Sequence, residues 1–304
     1  MTAPTPHVCP VPGPAPLPAR GLDRRRSLAL LLSLGLSLAQ AQTELTDLAR
    51  IRASGILKVA VYKDNAPFSD GPVADMQGLD IALAGALARQ LQLKLALLPF
   101  DAGENMNDDL RNMVWRGHYL GYGPADVMLH VPVDKYLMQE NRQALIFAPY
   151  MRQVQVLLHD TRVLPQVTGP DDLKGHKLAV ERGTGLASVL MGQQGGMLRT
   201  QVSVYPSGVE AAQAVISGQA AAAYVLRSQA EAALARAAQP RPAHLALASL
   251  PLEGVPANGW PLGLAIKVAN KDLGRAIEAA FKELRNNGEL LVMFQQRGMT
   301  LTAP

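Results

Sequence analysis

The sequence predicts an α/β protein of two domains, and three observations carry that expectation. From residue 56 to residue 131, strand-like and helix-like stretches alternate as β-α-β-α-β, the pattern of a parallel sheet covered by helices. The alternation starts again near Gln153, in a chain whose 304 residues suffice for two domains of ordinary size. The stretch from Lys174 to Ala187 then joins a short apolar strand to a helix through a glycine-bearing turn, and the other elements are read around it.

A short helix is expected from Thr46 to Ala53, followed by a first strand, Ile56-Leu-Lys-Val-Ala-Val-Tyr62. Lys63-Asp-Asn-Ala-Pro-Phe68 is a loop, and Gly78-Leu-Asp80 leads into a helix. That helix carries Leu79, Leu83, Leu87 and Leu91 at a spacing of four, an apolar stripe made to face a sheet. Lys94 to Pro99 is a second strand, Asp108 to Arg116 a helix, and Ala125 to Val131 a third strand. The second unit opens with strand Val154-Gln-Val-Leu-Leu158 and the segment Asp171-Asp-Leu-Lys-Gly175. After the turn come strand Val202 to Tyr205, helix Gly208 to Ile216, strand Ala221 to Leu226 and an Ala-rich helix to about Ala238, broken by Pro240-Arg-Pro242. Leu262-Gly-Leu-Ala-Ile266 is again a strand. Asn270 suits the N-cap of a helix over Lys271 to Asn286 with Gly288 as its stop, and Glu289 to Arg297 makes a last short helix.

In the central stretch, Leu178-Ala-Val180 is the strand, Glu181-Arg-Gly-Thr-Gly185 the turn, and Leu186 to Met191 the start of the helix. A strand that ends in glycines and opens a helix leaves free backbone N–H groups converging on one spot, and the helix dipole adds partial positive charge there. An anion or a carbonyl is welcome at such a place. An ordinary strand-to-helix connection has the same outline, so the turn takes its meaning from what surrounds it.

With 48% hydrophobic and 18% charged residues the chain is globular. Its first 41 residues stand apart. Met1 to Ala19 is Pro-rich; Arg20, Arg24, Arg25 and Arg26 follow; then come the apolar run Ser27 to Leu38 and the small-residue site Ala39-Gln40-Ala41. That order is the plan of a secretory signal cleaved before Gln42, which implies export to the periplasm, and the run is short for an ordinary membrane span. Losing residues 1–41 leaves 25 Lys+Arg against 24 Asp+Glu, a net charge of +1 in place of +4. The basic character therefore resides largely in the leader and gives no support to nucleic-acid binding. The single cysteine, Cys9, leaves with the leader, so the mature chain has neither thiol nor disulfide.

In their order along the chain, Ile56-Leu-Lys-Val-Ala-Val61, Ala66-Pro-Phe68, Gly78-Leu-Asp80, Ala125-Asp-Val-Met128 and Phe147-Ala-Pro-Tyr150 form a set, continued by Asp172-Leu-Lys-Gly175, Arg182-Gly-Thr184 and Ser217-Gly218. The set resembles the family-3 extracellular solute-binding proteins of bacterial ABC importers and covers most of the chain after the leader. The resemblance implies a two-domain periplasmic-binding-protein type II fold, with a ligand cleft between domains that the chain crosses twice. Domain 1 would be residues 42–151 and 250–304, and domain 2 residues 152–249. Hinge closure on a small polar solute, for delivery to an ABC permease, is the mechanism it implies.

Two departures bear on the solute. Family members that bind amino acids hold the carboxylate with an Arg shortly before the Phe-Ser-x-Pro-Tyr segment. Here Arg142 precedes Phe147 in a stretch, Val131 to Ala144, that is longer and differently spaced. The Asp that receives the ammonium group follows a strand of the second domain, where this chain has Tyr224-Val-Leu-Arg227. An ammonium in a desolvated cleft needs an anion opposite it, so this loss argues against an ordinary amino-acid binder. The segments Asp109 to Gly117 and Asp126 to Pro132, with Met293-Phe-Gln-Gln-Arg-Gly298, are similar to a narrower branch: the solute-binding-like proteins encoded beside periplasmic PQQ-dependent alcohol dehydrogenases. That branch implies a dehydrogenase partner in place of an importer.

The candidate ligand contacts are Tyr62, Phe68, His130, Arg142, Arg182, Gly183, Thr184 and Arg227. Phe68 either stacks on a ligand or seals the core; Tyr62 either bonds a solute or closes a sheet edge. Thr184, with the N–H groups around Gly183 and Gly185, is the leading polar contact, and Arg182 can neutralise an acidic ligand or stand solvated at a turn. His130 ends a strand, where α/β clefts place ligands, but a lone histidine also serves structure, and Arg227 takes the same two readings. Trp115 and Trp260 read as packing or partner surface. The six histidines show no H-x-x-x-H or close Cys/His/acid spacing, and Gly-x-Ser-x-Gly and phosphate-loop patterns are absent. No metal, cofactor or catalytic constellation is expected. The reading is an exported solute-binding protein, with a dehydrogenase accessory factor on the same scaffold as the alternative.

Overall fold

The computed structural model describes residues 46–237 and 242–304. The leader expected over residues 1–41 lies outside the described residues, as do Ala238, Pro240 and Arg241 of the expected helix end and break. Two five-stranded sheets organise the rest. The first carries β1 (Ile56–Tyr62), β2 (Lys94–Phe100), β3 (Val127–Pro132), β4 (Ala144–Gln153) and β10 (Trp260–Lys267) in the order β2-β1-β3-β10-β4. The second carries β5 (Gln155–Asp160), β6 (Leu178–Glu181), β7 (Val202–Tyr205), β8 (Ala222–Leu226) and β9 (Leu245–Ala248) in the order β7-β6-β8-β5-β9.

The sheets are mixed, which corrects the expectation of a parallel sheet. Strand β1 is parallel to β2 and β3, and β6 is parallel to β7 and β8. Strand β10 is antiparallel to β3 and β4, and β5 is antiparallel to β8 and β9. The crossings explain this. The chain leaves the first sheet at Gln153 and enters the second at Gln155; it returns through residues 249–259 into Trp260, which pairs with Gln153. A strand arriving from the other lobe enters its sheet at the edge where β1, β3 and β4 end, so it must run against them. At the hinge the two crossings touch. Gly259 has φ +62°, and a Cβ there would stand 1.8 Å from the carbonyl oxygen of Gln153, so only glycine fits.

Helices α1 (Asp47–Ser54), α2 (Leu79–Gln90), α8 (Lys271–Asn286) and α9 (Glu289–Gln295) belong to the first lobe. The leucine stripe of α2 is buried as its spacing requires: Leu79, Leu83, Leu87 and Leu91 join Val59, Val61, Ile277 and Phe281 in one core. The opposite face of that sheet buries Phe100, Leu110, Met113 and Met128. The segment expected as a helix from Asp108 is a short α3 (Met106–Leu110) capped by the Asn105 side chain, running into one wide turn over Arg111–Trp115. Helix α8 starts where Asn270 predicted, but the Asn270 side chain makes no cap bond. The Leu273 N–H instead donates to Asp47 of α1 at 3.0 Å, because Asp47 lies beside this helix end and offers a full carboxylate.

Three elements had no sequence expectation: α4 (Lys135–Glu140), β4 and β9. Strand β4 contains Pro149 and is nearly continuously apolar, so it lacks the alternation that marks a strand. It tolerates the proline because it is an edge strand. In the second lobe, α5 (Gly185–Gly196), α6 (Gly208–Ile216) and α7 (Arg227–Arg236) cover the sheet. Among the described residues no helix is long and apolar enough to cross a membrane.

Candidate functional site

The topology just described turns the C-terminal ends of β1, β2, β3 and β4 toward the other lobe on one side, and those of β6, β7 and β8 on the other. Crevices outside the carboxyl ends of strands are where α/β folds place ligands. The lobes meet there. Ala66, in the loop after β1, is buried in the second lobe's core with Val209 and Ala230, and Ala232 of α7 is buried in the first lobe's core. Glu231 of α7 accepts the Thr300 N–H at 2.7 Å and its hydroxyl at 2.9 Å.

Beside these contacts lies a cavity of about 380 Å³. Its walls are the central turn (Glu181, Thr184, Gly185), Leu186 and Val189 of α5, Leu226 at the end of β8, Val255 and Pro256 of the returning link, and Trp260 at the start of β10. The turn is built from its own backbone. Arg182 N–H donates to the Tyr205 carbonyl, and Thr184 accepts from the Ala187 N–H at 3.2 Å while donating to the Glu181 carbonyl at 2.9 Å. The Thr184 hydroxyl is thus committed to capping α5. Of the other lining residues at this turn, Glu181 carries a carboxylate, and Gly185 and Leu186 are the first residues of α5, whose N–H groups have no partner inside the helix.

Glu181 ends β6 half-buried. Its Oε2 accepts from Gln229 Nε2 at 2.7 Å, and the Gly208 N–H also donates to the carboxylate. Desolvation raises its pKa above the ordinary carboxylate value, and the two donors moderate that rise. Gln229 is held in turn, its Oε1 accepting the Leu226 N–H at 3.1 Å. Gly208 makes room: a Cβ at that position would come 1.9 Å from Gln229 Oε1.

On the first lobe, Tyr62, Phe68 and His130 come together. His130, at φ +64°, sits edge-on to Phe68 with centroids 4.4 Å apart and 6.3 Å from Tyr62. Its Nδ1 lies 3.0 Å from Oδ2 of the fully buried Asp80, whose Oδ1 accepts from the Tyr150 hydroxyl at 3.1 Å. Phe68 is wholly buried, so it seals the core. The Tyr62 hydroxyl donates to Asp109 Oδ2 at 2.7 Å, and burial raises its pKa well above that of a free phenol. Arg182, Gly183 and Thr184 lie on the second lobe's edge, with Arg227 at the start of α7, 3.6 Å from Glu231. Arg142 is not brought to this site. It is exposed in the turn before β4, next to the pairing of Ala144 with Lys267 at the far end of the sheet. Glu181, Leu226 and Trp260 line the cavity although none is among the contacts expected from sequence, and Gln229 holds Glu181. The available signal was Glu181's place at the C-terminal end of a strand.

No family model and no curated protein matches the sequence. Solved structures do match. An ancestral cationic amino acid solute-binding protein (AncCDT-1) aligns at a TM-score of 0.63 and 22% identity, covering 83% of this chain and 99% of that one. An amino acid ABC transporter substrate-binding protein from Streptococcus pneumoniae, bound to L-arginine, aligns at a TM-score of 0.58 and 19% identity, covering 84% and 100%. A P235GK mutant of ArgBP from T. maritima aligns at 0.54 and 20%, covering 82% and 97%. These likenesses, with the two mixed sheets, show a two-domain periplasmic-binding-protein fold of the type found in amino-acid-binding proteins.

Proposed function

We propose that this chain is an exported solute-binding protein whose lobes close on a small solute, for delivery to an ABC importer. The observation that carries the reading is the cavity between the central turn and Trp260, where one lobe's strand ends meet the start of the other lobe's returning strand. Its volume suits a small molecule. The mix of backbone donors, one carboxylate and an apolar wall from Leu186, Val189, Leu226 and Val255 suits a solute with a polar head and an apolar body. Arg182, Gly183 and Arg227 are chain neighbours of the lining residues Glu181, Thr184 and Leu226, and Tyr62, Phe68 and His130 cluster in the first lobe. The structural likeness to amino acid ABC transporter substrate-binding proteins supports this role. The dehydrogenase-accessory reading rests on the segments around Asp109 and Asp126. Both residues have structural work inside the first lobe, Asp109 accepting from Tyr62 and Gly103 and Asp126 from the Lys58 N–H, so those segments need no partner to explain them.

A thermal-shift titration of the full-length protein against amino acids, amines, organic acids, alcohols and polyamines tests the proposal. A ligand at a hundred times its Kd stabilises by roughly 2.7 kcal/mol, which for a chain of this size raises Tm by roughly 2–4 °C per kcal/mol. A saturable rise with one solute class is the expected result. A flat panel, with capture of a quinoprotein dehydrogenase in a pull-down, overturns it.

A further inference from the structure

Glu181 is the only charged residue in the cavity wall. The rest of that wall is apolar side chains, glycines, a threonine whose hydroxyl is already committed, and an indole. No lysine, arginine or histidine forms a salt bridge with Glu181 among the described residues, and its hydrogen-bond donors, Gln229 Nε2 and the Gly208 N–H, are both neutral. A carboxylate accepts at about four lone-pair positions, so two donors leave it able to take more. Holding an ionised carboxylate in a desolvated wall without a counter-charge is costly, and the cost is relieved when a cation enters.

We infer that the Glu181 carboxylate is the ammonium-recognising group of this cavity, and that its solutes are amines carried on an apolar body. This rests on the solute-binding reading above and names its chemistry. The apolar body packs on Leu186, Leu226 and Val255, and Trp260 gives the cation an aromatic neighbour. Gln229 is a positioning residue: it holds the carboxylate from one side and the start of α7 from the other.

The test is isothermal titration of the full-length protein with phenethylamine and L-phenylalanine, set against 3-phenylpropionate and 2-phenylethanol. The comparison separates the ammonium group from the body that carries it. At least one of the two amines should bind, and the two compounds without nitrogen should bind at least ~30-fold more weakly, the scale of losing one partner of a desolvated charge pair. The variant Glu181→Gln keeps the shape and the bond from Gln229; it should lose that preference while its ligand-free Tm does not fall. Equal binding of amine and nitrogen-free compounds, or an unchanged preference in E181Q, overturns the assignment. So does saturable binding of some other solute class in the wider panel with no amine bound, an outcome that leaves the solute-binding reading standing. If nothing in either panel binds, both readings fall together. The wild-type comparison decides the assignment even if the variant does not fold.

Discussion

At the scale of single residues, the site is set by a few side chains whose polar groups are already spoken for. Thr184 caps its helix and Tyr62 bonds Asp109, which leaves Glu181 as the side chain of the cavity wall with the most spare acceptor capacity. Gly208 guards that arrangement. Gly208→Ala should push the Gln229 amide aside and break its bond to Glu181, lowering Tm slightly and weakening solute binding as Gln229→Ala does; calorimetry with titration of both variants checks this. The raised pKa of Glu181 also fixes the sign of a pH effect. Between the ordinary carboxylate value and its higher folded value, the folded chain holds a proton that the unfolded chain has released. This group's contribution to stability therefore falls as pH rises through that window. Glu181→Gln should remove the fall, so urea melts of variant and wild type should diverge as pH rises from 4 upward. Asp160 acts in the opposite sense: Arg162 holds its pKa down to about 2, so its stabilisation is full above the ordinary value and lost as pH falls toward 2.

At the scale of elements, helix ends and stripes decide what is held in place. The start of α8 depends on Asp47 and not on its own Asn270. Asp47→Ala should cost roughly 0.5–2 kcal/mol, the usual loss of an N-cap, whereas Asn270→Ala should cost little by this route; paired denaturant melts separate them. The stripe of α2 is the stronger determinant. Leu83 is fully buried between helix and sheet, and Leu83→Ala should cost about 2–5 kcal/mol by the area lost and the cavity left. The central turn owes its shape to both ends of the junction, since the Tyr205 carbonyl holds Arg182 from β7 and the Thr184 cap holds α5.

At the scale of the whole molecule, the lobes are joined by two crossings at the hinge and by a contact beside it, where the Arg227 N–H donates to the Val154 carbonyl and the Arg152 N–H to the Thr302 carbonyl. There Glu231 of α7 takes both the N–H and the hydroxyl of Thr300 in the C-terminal segment. These bonds tie α7 of the second lobe to the C-terminal segment of the first. Glu231→Ala should therefore favour the open form, read as a larger radius of gyration in small-angle scattering without solute. It should also weaken solute binding, because closure then has less to hold it. A variant as compact as wild type, with unchanged affinity, would show that the contact does not govern closure.

By itself the sequence determined the two-domain α/β class, the α2 stripe and the central strand-turn-helix, because each is written in local periodicity or in glycines at a turn. It did not determine strand direction in β5 and β10, since direction depends on the edge at which a crossing chain enters a sheet. Nor did it show β4, whose proline is admissible only at an edge that the tertiary fold defines. Phe68, Tyr62 and Thr184 were legible as candidate contacts, but whether their polar or aromatic faces were free was decided by partners distant in sequence or by the local cap. Arg142 was drawn to the site by its nearness to Phe147 in sequence, and the length of β4 carries it to the opposite end of the sheet. Glu181 and Trp260 stand 79 positions apart in the chain and share a wall only because β10 returns to the hinge beside the second lobe. A charge is a site only when its surroundings leave it unpaired and desolvated, and those surroundings are a property of the folded chain alone.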